Sequence, residues 1–268
     1  MNMETHTKVI VIIPAYNEEE SLARVVSGVL AAVPAADVVV INDGSHDRTP
    51  LVAERAGATV ISLPYNLGIG AAMQTGFMLA QAGDYLAAVQ VDGDGQHDPG
   101  EIVVLLDRLL SGEADVVVGS RFVENRGYVT PWLRMLGIRI LARYVSMLAG
   151  QSFSDTTSGF RASNRLAMES CAQNYPEDYP EPESLLAFRK MGLRVTEVAV
   201  SMNQRFGGKS SITPFWSAYY MIKVMLAVTI LLLRRAPQRG GSTYVLSLIH
   251  ISAPTRPRLI SYAVFCLK

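Results

Sequence analysis

The chain has 268 residues with 24 basic and 24 acidic side chains, a pI near 6.9, a hydrophobic fraction of 49 % and a charged fraction of only 18 %. That balance excludes a disordered chain, which needs low hydrophobicity and high charge, and it lacks the basic excess of a dedicated nucleic-acid binder. Two cysteines, Cys171 and Cys266, are too few for a disulfide framework or a multi-cysteine metal site, so a reducing compartment is expected.

In chain order, the N-terminus is polar through Lys8, and the apolar run Val9–Ile13 stops at Pro14. That run is too short for a signal-peptide core and reads as a strand, so no signal peptide is expected. Three more apolar runs, Val38–Ile41, Tyr85–Val91 and Asp115–Val118, read the same way, and a shorter one covers Thr59–Ser62. They are continuous rather than alternating, as expected of parallel strands covered by helices on both faces. Between them, Glu18–Leu30 places Leu22, Val25, Val26, Val29 and Leu30 close to a 3.6-residue period. Gly68–Ala80 and Pro99–Leu110 behave likewise, the latter with proline at a helix start. Alternating strands and helices predict a doubly wound α/β sheet with right-handed crossovers, whose ligands bind at the carboxyl ends of the strands.

Three of those strand ends carry concentrated polar chemistry: Pro14-Ala15-Tyr16-Asn17-Glu18-Glu19, Asn42-Asp43-Gly44-Ser45, and Asp92-Gly93-Asp94-Gly95-Gln96-His97-Asp98. Any one alone reads as a turn. Together, at one sheet edge, they predict a cleft. Asp92 and Asp94, two residues apart in extended backbone, face the same way and repel unless a cation lies between them. Hard oxygen ligands with open positions suit Mg²⁺ or Mn²⁺, completed by water and substrate phosphates, and Gln96 can add a carbonyl. A calcium loop of the EF-hand type would need an acidic residue where Val103 stands. Asn66-Leu67-Gly68-Ile69-Gly70 leads into a helix whose N-terminal amides suit either an anionic group or simple capping. It is neither a Walker loop nor GxGxxG, since Met73 occupies the third glycine position.

Two helices are expected downstream. Trp132–Ala149 carries Arg134, Arg139 and Arg143 near helical spacing, either to meet phosphates or as a solvated face. In Phe215–Leu233 the polar Ser217, Lys223 and Thr229 spread around the wheel, so the helix is apolar all round and either buried or membrane-associated. Lys223 makes a full span costly, by roughly 2.5–3.5 kcal/mol. An interfacial helix at the cytoplasmic face, anchored by Arg234-Arg235, is therefore expected, with a core or oligomer-contact helix as the alternative.

Residues 246–268, LSLIHISAPTRPRLISYAVFCLK, resemble translated sequencing adapter: codons for Leu246–Ile251 and for Ile260–Leu267 fit the two ends of such an adapter. No function is assigned to His250 or Cys266, and source DNA with unrelated codons would overturn this reading. Without Arg256, Arg258 and Lys268 the chain loses three basic and no acidic residues, and its net charge becomes −3.

The ordered set IPAYNEE (Ile13–Glu19), VINDGSHDRT (Val40–Thr49), NLGIGAA (Asn66–Ala72), VDGDGQHDP (Val91–Pro99), VVGSRF (Val117–Phe122), DTTSGFRA (Asp155–Ala162) and GGKSS (Gly207–Ser211) resembles the family 2 glycosyltransferases of GT-A fold. Within them it is most similar to the polyprenyl-phosphate sugar synthases of the dolichyl-phosphate mannose synthase type. The resemblance implies a GT-A domain over 1–213, then the apolar helix over 214–235, a linker over 236–245 and the adapter-like tail. It implies that Pro14, Ala15, Tyr16, Glu18, Asn66 and Gly68 line the donor pocket and that Asp43 accepts hydrogen bonds from the base. Asp92 would lie by the sugar or ribose, and Asp94 and Gln96 would hold the cation bridging the diphosphate. Arg121 would read phosphate or form a structural salt bridge. Arg205, with Lys209 on the same loop, would neutralise phosphates.

The implied reaction moves a sugar from a UDP- or GDP-sugar to a polyprenyl phosphate at the membrane, with oligomerisation left open. A saccharide hydroxyl is the alternative acceptor, and it would need a carboxylate base. Glu181 and Glu183 in DYPEPES (Asp178–Ser184) stand where hydroxyl-acceptor relatives carry theirs, with Glu183 slightly preferred. Acidic residues complementing a helix dipole are the competing explanation. A nucleotidyltransferase or a non-catalytic nucleotide-sugar module fits less well: the first loop is acidic rather than glycine-rich and basic, and the Asp92, Asp94 and Gln96 set is intact.

Overall fold

A computed structural model of the protein describes residues 8–124, 132–203 and 214–233, with the side chains of 133, 134 and 214–220 left outside the description. The strands are β1 Val9–Ala15, β2 Asp37–Asn42, β3 Thr59–Ser62, β4 Ala87–Gln90, β5 Val116–Ser120, β6 Arg161–Asn164 and β7 Val195–Ala199. The helices are α1 Leu22–Ala32, α2 Thr49–Arg55, α3 Ile69–Ala82, α4 Ile102–Leu110, α5 Trp132–Ala149, α6 Arg165–Gln173, α7 Pro180–Lys190 and α8 Pro214–Leu233.

All seven strands form one sheet in the order β3-β2-β1-β4-β6-β5-β7. Pairing is parallel except around β6, which runs antiparallel to both β4 and β5. The expectation of a doubly wound, mainly parallel sheet therefore holds, with one inserted antiparallel strand. β6 reads Arg-Ala-Ser-Asn, and that short polar stretch carries no apolar run to announce a central strand.

The apolar strands bury both faces. One layer packs Leu22, Val25, Val26 and Val29 of α1 and Ile102, Leu105, Leu106 and Leu109 of α4 against Val9, Val11 and Ile13. The i, i+3, i+4, i+7 spacing supplies one apolar stripe per helix. The other layer packs α3, α5, α6, α7 and α8 against Ile10, Ile12, Val116 and Val118.

α8 lies where an apolar helix is expected, and its described side chains are buried on one side only. Val224 and Val228 are buried in the core, and Thr229 bonds Tyr144 of α5 through paired hydroxyls 2.6 Å apart. Ile222, Leu226 and Ile230 remain exposed. Among the described residues, no helix is long and apolar enough to cross a membrane. Residues 236–245 and the adapter-like tail lie outside the described residues.

Candidate active site

The chain runs outward from β1 through β2 to β3, then returns across to β4 on the other side of β1. This reversal opens a crevice at the carboxyl ends of β1 and β4, where ligands of such sheets bind. A cleft of about 330 Å³ lies there, lined by the ends of three neighbouring strands and by the start of α3. The expected donor residues Pro14, Ala15, Tyr16, Glu18, Asp43, Asn66 and Gly68 all line it, together with Asp92 and Asp94. Ile69, Ala72 and Gly93 complete the wall.

Local bonds fix these loops to one another. Asn17 adopts a left-handed backbone (φ 54°), its amide donates to Ser45 Oγ, and its Oδ1 accepts from the His46 amide. The first loop is thereby tied to the second. Ser21 Oγ donates to the Gly93 carbonyl at 2.7 Å, tying α1 to the third loop. Asp43 is buried, and its two carboxylate oxygens accept the Leu67 and Gly68 amides at 2.7 and 2.9 Å. Gly44 permits this approach: at φ +69° a side chain is strained, and a Cβ would meet the Tyr65 carbonyl carbon at 2.5 Å. Asp43, expected to accept from a nucleotide base, thus first shapes the loop that forms the pocket's far wall.

In the third loop, Asp94 Oδ1 accepts the Gln96 amide at 3.0 Å. The Gln96 carbonyl accepts from the Asn203 amide, and His97 bridges to Met202, so the loop is stapled to the chain leaving β7. Asp92 Oδ1 is buried without a hydrogen-bond partner. Gly159 approaches so closely that a Cβ there would meet this oxygen at 3.1 Å. A buried carboxylate oxygen with no donor is costly unless a cation balances it. The residues therefore fit a divalent ion: two carboxylates border the cleft, and one of them has an oxygen left over. Among the described residues no three His, Cys, Asp or Glu side chains cluster as a closed metal site.

Residues 10–170 match the family model for Glycosyl transferase family 2, more than half of the chain. The chain belongs to the family 2 glycosyltransferases.

Polyprenol monophosphomannose synthase of Mycolicibacterium smegmatis is 35 % identical over 170 residues, a match spanning 60 % of this chain and 63 % of that protein. Undecaprenyl-phosphate mannosyltransferase of Micrococcus luteus is 31 % identical over 222 residues, spanning 77 % of this chain and 88 % of the relative. Among solved structures, glucosyl-3-phosphoglycerate synthase from Mycobacterium tuberculosis, in complex with Mn²⁺, UDP and phosphoglyceric acid, superposes with a TM-score of 0.65. It is 20 % identical and is matched over 87 % of this chain and 81 % of its own, a likeness of fold.

Other expected site residues fall elsewhere. Arg121 of this glycosyltransferase is buried beyond β5, and its Nε and Nη2 bond Asp155 at 2.6 and 2.7 Å. Nη2 also donates to Thr157 Oγ1. The fork that would read phosphate grips a carboxylate of the protein, so the salt-bridge alternative describes it. Glu181 and Glu183 lie in the first turn of α7. Burial pushes the Glu181 carboxyl up, Arg161 opposes the shift, and the charge of Asp92 adds to it. The sequence slightly preferred Glu183, which shares the same first helical turn. Arg205 and Lys209 lie outside the described residues, as does the side chain of Arg134.

Sequence reasoning overlooked Asp155, which holds Arg121, and Arg161. The Arg161 guanidinium is buried and donates to the Ser158 carbonyl, Ser184 Oγ and the Glu181 carbonyl. The DTTSGFRA motif contained both, but nothing in it announced a buried, internally paired network.

Proposed function

We propose that the chain is a metal-dependent hexosyltransferase. It takes a sugar from a UDP- or GDP-sugar and delivers it to a polyprenyl phosphate at the cytoplasmic face of a membrane. The single observation that carries this reading is the crevice between β1 and β4, where Asp92 and Asp94 border the pocket formed by the nucleotide-type loops. The names of the two mannosyltransferase relatives support a lipid-phosphate acceptor. A relative from Trichomonas vaginalis, 27 % identical over 224 residues, is named a dolichyl-phosphate beta-glucosyltransferase, so relatives differ in the sugar.

The protein's part is binding and orientation. Tyr16 is half-exposed at the cleft mouth, in edge contact with His46, and offers an aromatic face to a base. The Asp43-fixed loop sets the start of α3 against the donor. Asp94 and Gln96, with Asp92 beside them, would hold Mg²⁺ or Mn²⁺, which supplies charge stabilisation for the leaving diphosphate. A lipid phosphate is already anionic at neutral pH, so its attack on the anomeric carbon needs no strong base.

The membrane component rests on α5 and α8, whose sequences contain no acidic residue. They expose Leu136, Ile140, Met147, Ile222, Leu226 and Ile230, with Arg139, Arg143 and Lys223 also exposed. Apolar ridges flanked by cations suit an anionic lipid surface.

A second reading, transfer to a saccharide hydroxyl, is favoured by Glu181: a carboxyl pushed up by burial, with the charge of Asp92 adding to the shift, suits a general base. One experiment separates the two. Labelled UDP- and GDP-sugars are offered with Mn²⁺ or Mg²⁺ to polyprenyl phosphate in anionic vesicles and, separately, to soluble saccharides. Label in the lipid fraction, lost in Asp94→Ala, is expected. Label in soluble saccharide alone removes the lipid acceptor, and full activity of Asp94→Ala removes the metal assignment.

A further inference from the structure

His97 is buried at 4 % exposure beneath the third loop, and it meets Asp92 at two points. Its Nδ1 accepts the Asp92 backbone amide at 3.0 Å. Its Nε2 stands 3.5 Å from Asp92 Oδ2, a close approach longer than a directed hydrogen bond. An amide can only donate, so it is the Nδ1 lone pair that takes this bond. The ring cannot turn away. It stacks on Phe160 with centroids 4.7 Å apart and planes 15° apart, and its backbone is bridged to Met202.

We propose that His97 is a positioning residue, fixing Asp92 for the cation and donor sugar by accepting its backbone amide and packing its buried ring near the carboxylate. The proposal rests on the metal-dependent reading above and deepens it. Asp92 Oδ1 has no hydrogen-bond partner among the described residues, and both the His97 ring and the Gly159 backbone approach the carboxylate, so the bond to Nδ1 anchors the backbone from which this side chain projects. Groups that orient metal-binding carboxylates typically change metal affinity or activity by about 10–100-fold when removed. Phe160 is fully buried and serves the same device by holding the imidazole flat. Its own position is fixed in turn by Ser158, whose hydroxyl accepts the Phe160 amide and donates to the Gly119 carbonyl.

The test is Mn²⁺ binding in the presence of UDP, followed by the loss of the free-ion magnetic resonance signal. His97→Phe keeps the flat ring and the stack but loses both polar contacts. Its Mn²⁺ dissociation constant should rise about 10–100-fold, with donor turnover restored by excess Mn²⁺. Binding within twofold of the unaltered protein would overturn the proposal. If His97→Phe does not fold, His97→Gln and His97→Asn decide. Asn keeps an acceptor near the Nδ1 position and should bind Mn²⁺ more tightly than Gln, whose amide group reaches past it. Equal, undiminished binding by both overturns the proposal. Failure of the unaltered protein to bind Mn²⁺ with UDP would instead overturn the metal-dependent reading itself.

Discussion

The carboxyl edge of the sheet has two regions built from the same residue types and used in opposite ways. Over β2, β1 and β4, acidic side chains border an open cleft, and one oxygen of Asp92 has no partner among the described residues. Over β5 and β7, the polar groups close on one another. Asp155 holds Arg121, the Ser154 and Asp155 amides donate to the two Glu197 oxygens at 2.7 and 2.8 Å, and Ser120 and Ser154 join through their hydroxyls. Polar residues at a strand end therefore do not by themselves mark a binding site. What marks it here is a cleft bordered by carboxylates, since an unpartnered buried oxygen alone also occurs at Thr156 in the closed region.

The sharpest way to break that contrast is to open the closed region. Asp155→Asn leaves the buried Arg121 guanidinium without its counter-charge, and breaking a buried pair from one side costs about 3–5 kcal/mol. Urea unfolding should show that loss. Arg121→Lys, which cannot reproduce the two-point fork, should also lose stability. A stable Arg121→Lys protein with a raised donor KM would instead return Arg121 to phosphate binding.

A smaller effect is expected where the cleft region uses a closed bond to shape an open one. Asp43→Asn presents an NH₂ group to one of the two amides now bound by carboxylate oxygens. Losing a charge-assisted bond there costs about 2 kcal/mol of stability. Because the displaced loop lines the cleft, donor KM should also rise about tenfold, equivalent to about 1.4 kcal/mol. A stability loss with unchanged KM would mean that the loop does not set the donor position.

Much of this was legible in the sequence because the cleft loops follow apolar strands directly. Val9–Ile13 and Tyr85–Val91 locate the edge, and Asp43, Asp92 and Asp94 follow at its rim. Every expected donor residue among those described lines the cleft, and Lys209 lies outside the description. The β5–β7 region was less legible for a physical reason. Arg121, Asp155 and Arg161 acquire their meaning from partners 20 to 36 residues away, which local patterns do not encode. A buried arginine in a polar strand such as β6 contradicts the apolar-run rule and is tolerated only because three acceptors meet its guanidinium. α8 was located correctly, but its one-sided burial depends on α5 and α7, which its own composition could not reveal.

The mildest test lies at the opposite end of β5. Asp115 accepts from the Arg194 amide and guanidinium and from Asn164 Nδ2, joining the starts of β5 and β7 to the end of β6. The hydrogen bonds from Arg194 hold its carboxyl below the usual carboxylate value, despite opposing burial, with Asn164 adding to them. A lowered value in the folded state means the charged form stabilises the fold. That stabilisation is complete above the ordinary carboxylate pKa of about 3.8 and fades as pH falls through the lower folded value. Arg194 is largely exposed, so solvent screens much of the gain. Asp115→Asn should therefore lower Tm by only about 2–4 °C near neutral pH. The gap between the two proteins should narrow below about pH 4, measured by thermal unfolding across pH. Donor KM should not move, because Asp115 lies at the strand ends remote from the cleft; a shift in KM would show that the closed and open regions are coupled through the sheet.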